Sequence, residues 1–351
     1  LVGIVLASLS TAVPASGQRV SWRSSATLYG DNSEFFNPYR EGETILGGQF
    51  TSALVVKPAA KYAVHAGVFG DVRWGSTEFL DQVKPVLSFR YSTPTSLAVL
   101  GTLETVRRHG LLDPLAVSTL ELTRPVEYGL QWIERRSTWD LDTFINWQAV
   151  NTSEQREMFD YGAVVRIRPI RQAVVEGQFH WVHRGGQLSN GGGVPVANNV
   201  TRALGVTLSE RIRGLGSGSV AAFRLWSSGV FDPDPAAHRP DRGHGTLVRL
   251  GLSPGAGLEV FGVRWWGRDF LSQEGDRHYN SAGLNPGFYR SRRKYVELGI
   301  ARRGRLEGGV ELDAEFRFHR IDTESSIAIR GIDWEYSYRL VVRAPVEFVL
   351  R

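Results

Sequence analysis

The chain contains no cysteine, so neither a disulfide framework nor a thiolate metal or redox site is open to it. It has no run in its mature part approaching the roughly 20 apolar residues of a membrane-spanning helix, and almost no stretch repeats its apolar residues with the 3.6-residue period of an amphipathic helix. Catalytic signatures are missing as well: there is no Gly-x-Ser-x-Gly elbow, no His-Glu-x-x-His helix and no phosphate loop. On these grounds the chain is expected to be no enzyme, with no cofactor and no metal. The net charge is only +5, and arginine is scattered through turns and alternate strand positions rather than gathered with stacking aromatics, which excludes nucleic acid as a partner. No blade-length repeat is present, which argues against a propeller.

What is there is alternation. Leu306, Gly308, Val310, Leu312, Ala314, Phe316 and Phe318 occupy one parity of a segment whose other parity reads Glu307, Gly309, Glu311, Asp313, Glu315, Arg317 and His319. One face is apolar and the other charged, and the pattern recurs in segments of about ten residues, the length that crosses a bilayer as a tilted strand. A mean hydropathy of −0.19 looks soluble, yet a barrel with a polar lumen places every second residue in water. A soluble sandwich would alternate too. Here, however, aromatics such as Tyr62, Trp74, Trp139, Trp147, Phe159, Tyr161 and Trp181 cluster toward strand ends, as interfacial girdles do. The fold class is therefore all-β, a transmembrane antiparallel β-barrel.

Residues 1–17 read as a secretory signal truncated at its N-terminus, an apolar run followed by small residues suited to cleavage after Ala15 or Gly17. Residues 18–351 then form a single barrel domain of about sixteen strands, with fourteen or eighteen as alternatives, joined by short periplasmic turns and longer extracellular loops. Ala116 to Arg124 reads as either loop or strand. In Gly257 to Arg268 the rule weakens, because Leu258, Val260 and Trp266 share a parity with Arg264 and Arg268; a bulge or a packed loop is expected there.

With this signal, these strands and a final segment carrying Trp334, Tyr336, Tyr338, Leu340, Val342, Val346, Phe348 and Leu350, the chain resembles the porin-type outer-membrane proteins of bacteria. The resemblance covers nearly all of the mature chain and implies residence in the outer membrane of a Gram-negative envelope. It also implies contact with outer-membrane lipids and recognition of the C-terminal strand by the barrel-assembly machinery. The chain departs from those proteins in ending on Arg351, where an aromatic is usual, and in placing Pro345 in a paired strand.

The polar lumen implies a channel for passive passage of small polar or charged solutes. A closed barrel acting through its loops as an adhesin or assembly partner is the alternative, and an outer-membrane hydrolase a further one. Pore-lining candidates are Arg107, Arg108, Arg166, Arg168, Glu176, Glu311, Asp313, Glu315, Arg317 and Arg339. Acidic and basic residues on opposed walls would set a transverse field across the channel, while cross-strand pairing would merely stiffen it. Thr105 to Pro125 joins cations to an apolar stretch, which suits a loop folded inward to narrow the pore; an exposed cap or an added strand competes with that reading. The aromatic first loop, Asp31 to Glu43, suits either sugar or cation binding or packing on the rim. His180 and His183, three apart on a strand, are expected on opposite faces. His238, Asp241 and His244 read as a solvated loop. A charge at Phe316 is expected to cost far more than one at Glu315.

Overall fold

Alternating apolar faces that cannot be buried against a second layer must close on themselves. In the computed structural model they do. The structure describes residues 19–186, 188, 196–229, 240–285, 288–321 and 334–350; the expected signal segment and His238 lie outside them. Sixteen antiparallel strands form one closed barrel. They are β1 (Arg19–Phe36), β2 (Glu41–Ala59), β3 (Tyr62–Arg73), β4 (Gln82–Ser92), β5 (Ser96–Thr102), β6 (Tyr128–Arg135), β7 (Trp139–Ala149) and β8 (Glu157–Ile170), followed by β9 (Ala173–Gly185), β10 (Ala197–Ile212), β11 (Gly216–Gly229), β12 (Arg242–Gly255), β13 (Leu258–Arg268), β14 (Arg292–Arg305), β15 (Glu311–Ile321) and β16 (Glu335–Val349). Each strand pairs with its sequence neighbours, and β1 closes on β16 from Ser21 opposite Val349 to Glu34 opposite Tyr336. No sheet edge is left open.

One end of the barrel carries only short connections, such as 60–61, 171–172 and 256–257; the other carries 103–127 and 269–291. Short turns mark the periplasmic end of an outer-membrane barrel. The wall is uneven in height. Pairing of β4 with β5 covers only Ser88–Ser92, because β5 has 7 residues before the chain leaves for the interior.

Several strand limits differ from those read in the sequence. β15 starts at Glu311, since Glu307–Gly309 forms a tight turn with Gly308 at φ 72°, a conformation glycine adopts without strain. Ala116 to Arg124 holds a helical turn at Leu120–Thr123 rather than a strand. Most of the expected first loop is strand, leaving residues 37–40 as its tip, with Tyr39 fully buried. Of the two expected causes of the parity break in β13, the structure shows the packed loop: Phe261, Val263 and Trp265 face inward onto Leu111, Leu115, Phe270 and Tyr279 of the long connections. The pairing of β13 with β14 is uniform from Leu258–Arg302 to Arg268–Arg292, so Arg264 and Arg268 lie on the outer face.

Outside, Leu28, Leu87, Leu100, Leu130, Leu204, Val220, Leu298 and Phe318 are exposed in an apolar band, the lipid-facing surface of such a barrel. Inside, the wall is not uniformly polar. Phe144, Val164, Phe223, Leu225, Leu247, Phe261, Val263 and Trp265 form one buried cluster with Leu111, Leu115, Phe270 and Tyr279. The last four come from the two long connections, so the lumen contains a hydrophobic core. Burial of this kind contributes roughly 1.5–3 kcal/mol per large side chain.

Phe316, at the middle of β15 and outward by alternation, is expected to lose about 2–4 kcal/mol of folding stability on Phe316→Arg, measurable by denaturant unfolding in liposomes. Glu315 is not the mild site the sequence suggested. It is 9 % exposed and paired with Arg303 and Arg317, so Glu315→Arg is expected to be at least as damaging, because it sets three guanidiniums against each other.

Candidate functional site

Residues 103–127 leave the wall after β5 and fold into the lumen. Leu115 and Leu122 are almost completely buried. The turn is unusual: Arg107, Arg108 and His109 have φ of 52°, 48° and 59°, and Gly110 follows at 79°. Three non-glycine residues in the left-handed region cost of order 1–2 kcal/mol each, so surrounding contacts must hold them. Arg108 pairs with Glu127, and its other nitrogen lies 3.6 Å from Glu274. Nε2 of His109 lies 3.0 Å from Glu127, and its ring stacks on Phe144 with centroids 3.6 Å apart. Arg166 and Gln178 each donate to the carbonyl of Gly110 at 3.1 Å. Arg339 and Arg343 hold Glu121 at 2.8 and 2.7 Å.

The second connection, 269–291, lies across the first. The backbone amide of Val117 donates to Glu274 and that of Asp276 to Asp113, both at 2.8 Å. Asp276 pairs with Arg40 at 2.6 Å, and Glu274 with Arg124 at 2.7 Å. The electrostatics follow from these contacts. Burial alone would raise the Glu274 and Asp276 carboxyls, but Arg124 beside the first and Arg40 beside the second hold both far below the usual carboxylate range. Glu127 is likewise buried and likewise depressed, chiefly by Arg108. Burial disfavours the charged form of His109, yet its hydrogen bonds to Asp142 and Glu127 outweigh that and raise its pKa.

Between this double plug and the wall run three cavities. The periplasmic one, about 330 Å³, is lined by residues including Arg23, His65, Arg90, Glu104 and Glu121. A central one of about 270 Å³ shares Glu121 with it and adds Arg107, Asp313, Glu315, Arg317 and Arg339. The outermost, about 30 Å³, shares Ser118, Glu315, Arg317 and Arg339 with the central one and ends among Asp31, Arg40 and Asp276. They follow one side of the barrel, from β16 to the loops. The opposite side is filled by the hydrophobic core.

Of the ten pore-lining candidates, Arg107, Arg108, Asp313, Glu315, Arg317 and Arg339 line the central cavity. Arg108 is nonetheless 2 % exposed and neutralised, whereas Arg107 is exposed and, among the described residues, has no ion pair. Arg166 binds Glu176 at 2.5 Å and serves as an anchor for the loop. Arg168 pairs with Asp140 and Glu311 with Arg305, both toward the periplasmic mouth. Acidic and basic residues interdigitate on neighbouring strands, as in Arg303 with Asp313 at 3.1 Å and Arg317 with Glu297 at 3.3 Å. These pairs form the cross-strand lattice that stiffens the wall. The groups the sequence did not single out are Glu127, Glu274 and Asp276, which become visible only once two distant loops meet.

Two histidines lie on opposite faces of β9, as their spacing predicts. His180 is buried inward, with Nδ1 donating to the carbonyl of Leu115 at 3.0 Å and Nε2 at 3.2 Å from Asp160. Asp160, His180 and Glu274 have donor atoms within 4.8 Å of one another. Arg124 already supplies positive charge to Glu274, which weakens the case for a cation there. His183 faces outward near the extracellular rim. The indole N–H of Trp181 can only donate, so it fixes Asn198 Oδ1 as an acceptor at 3.0 Å. The same oxygen accepts from Nδ1 of His183 at 2.7 Å. Nε2 lies 3.8 Å from Glu157, and Phe159 stacks on the ring at 4.7 Å.

The fold has counterparts among solved structures. The outer-membrane protein OprD of Pseudomonas aeruginosa aligns with a TM-score of 0.52 at 11% identity, covering 95% of this chain and 96% of its own. OpdK of the same organism gives 0.51 at 9%, covering 94% and 99%. A loop-L8 deletion mutant of OmpT of Vibrio cholerae gives 0.53 at 8%, covering 94% and 100%. At such identities the likeness is one of fold, that of a bacterial outer-membrane barrel. A comparison with curated protein sequences finds no match. A family model described as lipid A 3′-O-deacylase-type matches residues 13–351. Its name points to an enzyme and overturns the expectation, drawn from missing motifs, that the barrel has no catalytic role. A site assembled across strands leaves no local motif to find. With the match extending over nearly the whole sequence, the chain belongs to the lipid A 3′-O-deacylase-type family.

Proposed function

We propose that the barrel interior is a narrow, solute-selective passage for small anions. The observation that carries this reading is the series of polar cavities joined through Glu121, Ser118, Arg317 and Arg339, with Arg107 exposed in the central one. In a constriction with low-dielectric walls, one unpaired guanidinium outweighs charges that neighbours already neutralise. The solute is small, because the outermost cavity is only about 30 Å³.

The outer wall supports a second reading, hydrolysis of an acyl ester of an outer-leaflet glycolipid. Two observations favour it: the family is named for a lipid A 3′-O-deacylase, and His183 lies on the outward face of β9 with its Nδ1 engaged by Asn198 Oδ1. A neutral imidazole held this way can take a proton from water attacking the ester. The two readings use opposite faces of the wall and are compatible.

Arg107→Glu is expected to move the reversal potential in a salt gradient toward cation preference in planar bilayers, with conductance little changed. An unaltered potential would remove Arg107 from the selectivity role. Arg108→Glu is expected instead to unseat the loop, leaving Glu127 buried opposite a like charge, and to raise conductance.

Acidity is expected to loosen the plug. Glu127 and Glu274 have depressed pKa values, so their contribution is complete above the ordinary glutamate value of 4.5 and is lost as pH falls through the lowered values. His109 has a raised pKa, so its contribution is complete below the ordinary 6.5 and is lost as pH rises through the raised value. The loop is held most firmly between these limits. Single-channel conductance is expected to be lowest there and to rise on acidification, a rise that Glu127→Gln reproduces at neutral pH.

For the second reading, lipid A extracted from outer membranes carrying the protein is expected to lack one ester-linked acyl chain by mass spectrometry. His183→Ala should restore it; an unchanged acyl pattern in both would dismiss this site.

A further inference from the structure

The periplasmic cavity of about 330 Å³ holds a buried polar group that nothing in the wall uses. His65 of β3 lines this cavity and is only 7 % exposed, and among the described residues its imidazole makes neither a hydrogen bond nor an ion pair. Buried polar side chains are paired as a rule. The other buried histidines obey it: His109, His180, His278 and His319 each have a polar partner. An imidazole carries a proton on one ring nitrogen in either tautomer, so His65 has at least one donor to offer.

The pairing of β3 with β4 sets what surrounds it. Ser88 stands opposite His65, and the next inward residue of β4 toward the periplasm is Arg90, a diagonal neighbour roughly 7–8 Å away. Arg90 donates to Ser88 Oγ at 3.1 Å and pairs with Glu104. Arg343 has only a share of its acid, because Glu121 also accepts from Arg339. The cavity lining thus sets Arg23, Arg90 and Arg343 against Glu104 and Glu121, one cation in excess. Glu347, outside the lining, draws Arg23, but that pair is nearly half exposed, where an ion pair holds little.

Further into the barrel the lining turns apolar. The inward residue after His65 is Gly67, which puts no side chain into the lumen, and the next is Phe69. Phe69 forms a patch with Ala53 and Val86, Val126 packs against it, and Leu122 of the inward loop lines the same cavity. The cavity therefore has a cationic end with an unused donor and an apolar end. We propose that it binds small amphipathic monoanions, the anionic group between the imidazole of His65 and the guanidinium of Arg90, and the apolar body against Phe69, Val86 and Leu122. A hydrogen bond to an anion is stronger than one between neutral groups, and here it supplies the partner that the wall withholds from His65. Ligand pockets run from roughly 300 to 1,000 Å³, so about 330 Å³ limits the body to one ring or a short alkyl chain. As an account of what passes, the inference rests on the reading of the lumen as an anion passage, for which it names the class of solute.

The test is isothermal titration calorimetry of the folded barrel in nonionic detergent, with protein-free micelles as the blank. Hexanoate should bind at least tenfold more tightly than hexanamide, which has the body without the charge, and than acetate, which has the charge without the body. His65→Leu removes the donor and breaks no pair. It should weaken hexanoate at least fivefold and leave hexanamide unchanged, in a protein that still migrates as a folded barrel before heating. Equal binding of hexanoate and hexanamide by the unaltered protein would overturn the proposal, and this comparison decides even if the variant fails to fold. A smaller loss in the folded variant would overturn the role of His65, and acetate bound as tightly as hexanoate would overturn the apolar half of the site. Hexanoate bound as expected by a barrel that shows no anion preference in a salt gradient would remove the passage and keep the site. Anion preference with hexanoate and hexanamide bound alike would do the reverse.

Discussion

The interior of this barrel depends on one buried cluster of charge. Arg108, Glu127, Glu274 and Arg124 are joined pairwise inside the lumen, and a buried charge that loses its partner is typically worth 3–5 kcal/mol of destabilisation. Arg108 and Glu127 belong to one inward loop and Glu274 to the other, so the cluster fixes both loops relative to each other and to the wall. It also supports three successive left-handed residues, which local sequence preference would not produce. Arg107 is exposed in the central cavity because its neighbour Arg108 is held the other way.

The barrel was legible in the sequence because its cause is periodic. Phe316 and Glu315 sit on opposite faces for the same reason that every other adjacent pair does, and sixteen repetitions make the pattern hard to mistake. The inward course of Thr105 to Pro125 was legible too, from a long connection with an apolar grip. The hydrophobic core inside the lumen was not. Its signal was present in β11, where Phe223 and Leu225 face inward while Val220 and Trp226 face outward, making a strand apolar on both faces as buried strands are. The ion pairs of Glu274 with Arg124 and of Asp276 with Arg40 were unreadable because they join positions more than a hundred residues apart, and that of Glu127 with Arg108 because it needs the left-handed turn at 107–109. The parity break at Arg264 and Arg268 follows from the same core, since Phe261, Val263 and Trp265 on the other parity pack against the inward connections.

Two surfaces of one wall therefore carry different chemistry. Much of the inner surface presents cations already satisfied by carboxylates, as at Arg303, Arg317 and Arg339. The outer surface presents arginines laid over aromatic rings toward the extracellular ends of β10, β13 and β15, and His183 with its aromatic surround on β9. Alternation makes this separation inexpensive in sequence, since neighbouring residues on one strand serve both. A substitution that changes what the lumen admits need not touch the lipid face one position away.

The short strand β5 has a mechanical consequence. Seven residues at about 3.3 Å each, tilted near 45°, cover roughly 16 Å of bilayer where the apolar band of such barrels is about 25 Å tall. The missing height is made up from the loop side: Val126 packs against Ala53, Phe69 and Val86, and the hydroxyl of Tyr128 reaches the carbonyl of Pro85 at 2.9 Å. The segment that fills the lumen is thus continuous with the patch that seals the flank. Were it to swing away as a unit, acyl chains would spill through the breach before a wider aqueous route was established. Any change of bore must therefore be confined to the crest of the loop around 107–110, while its two feet remain part of the hull.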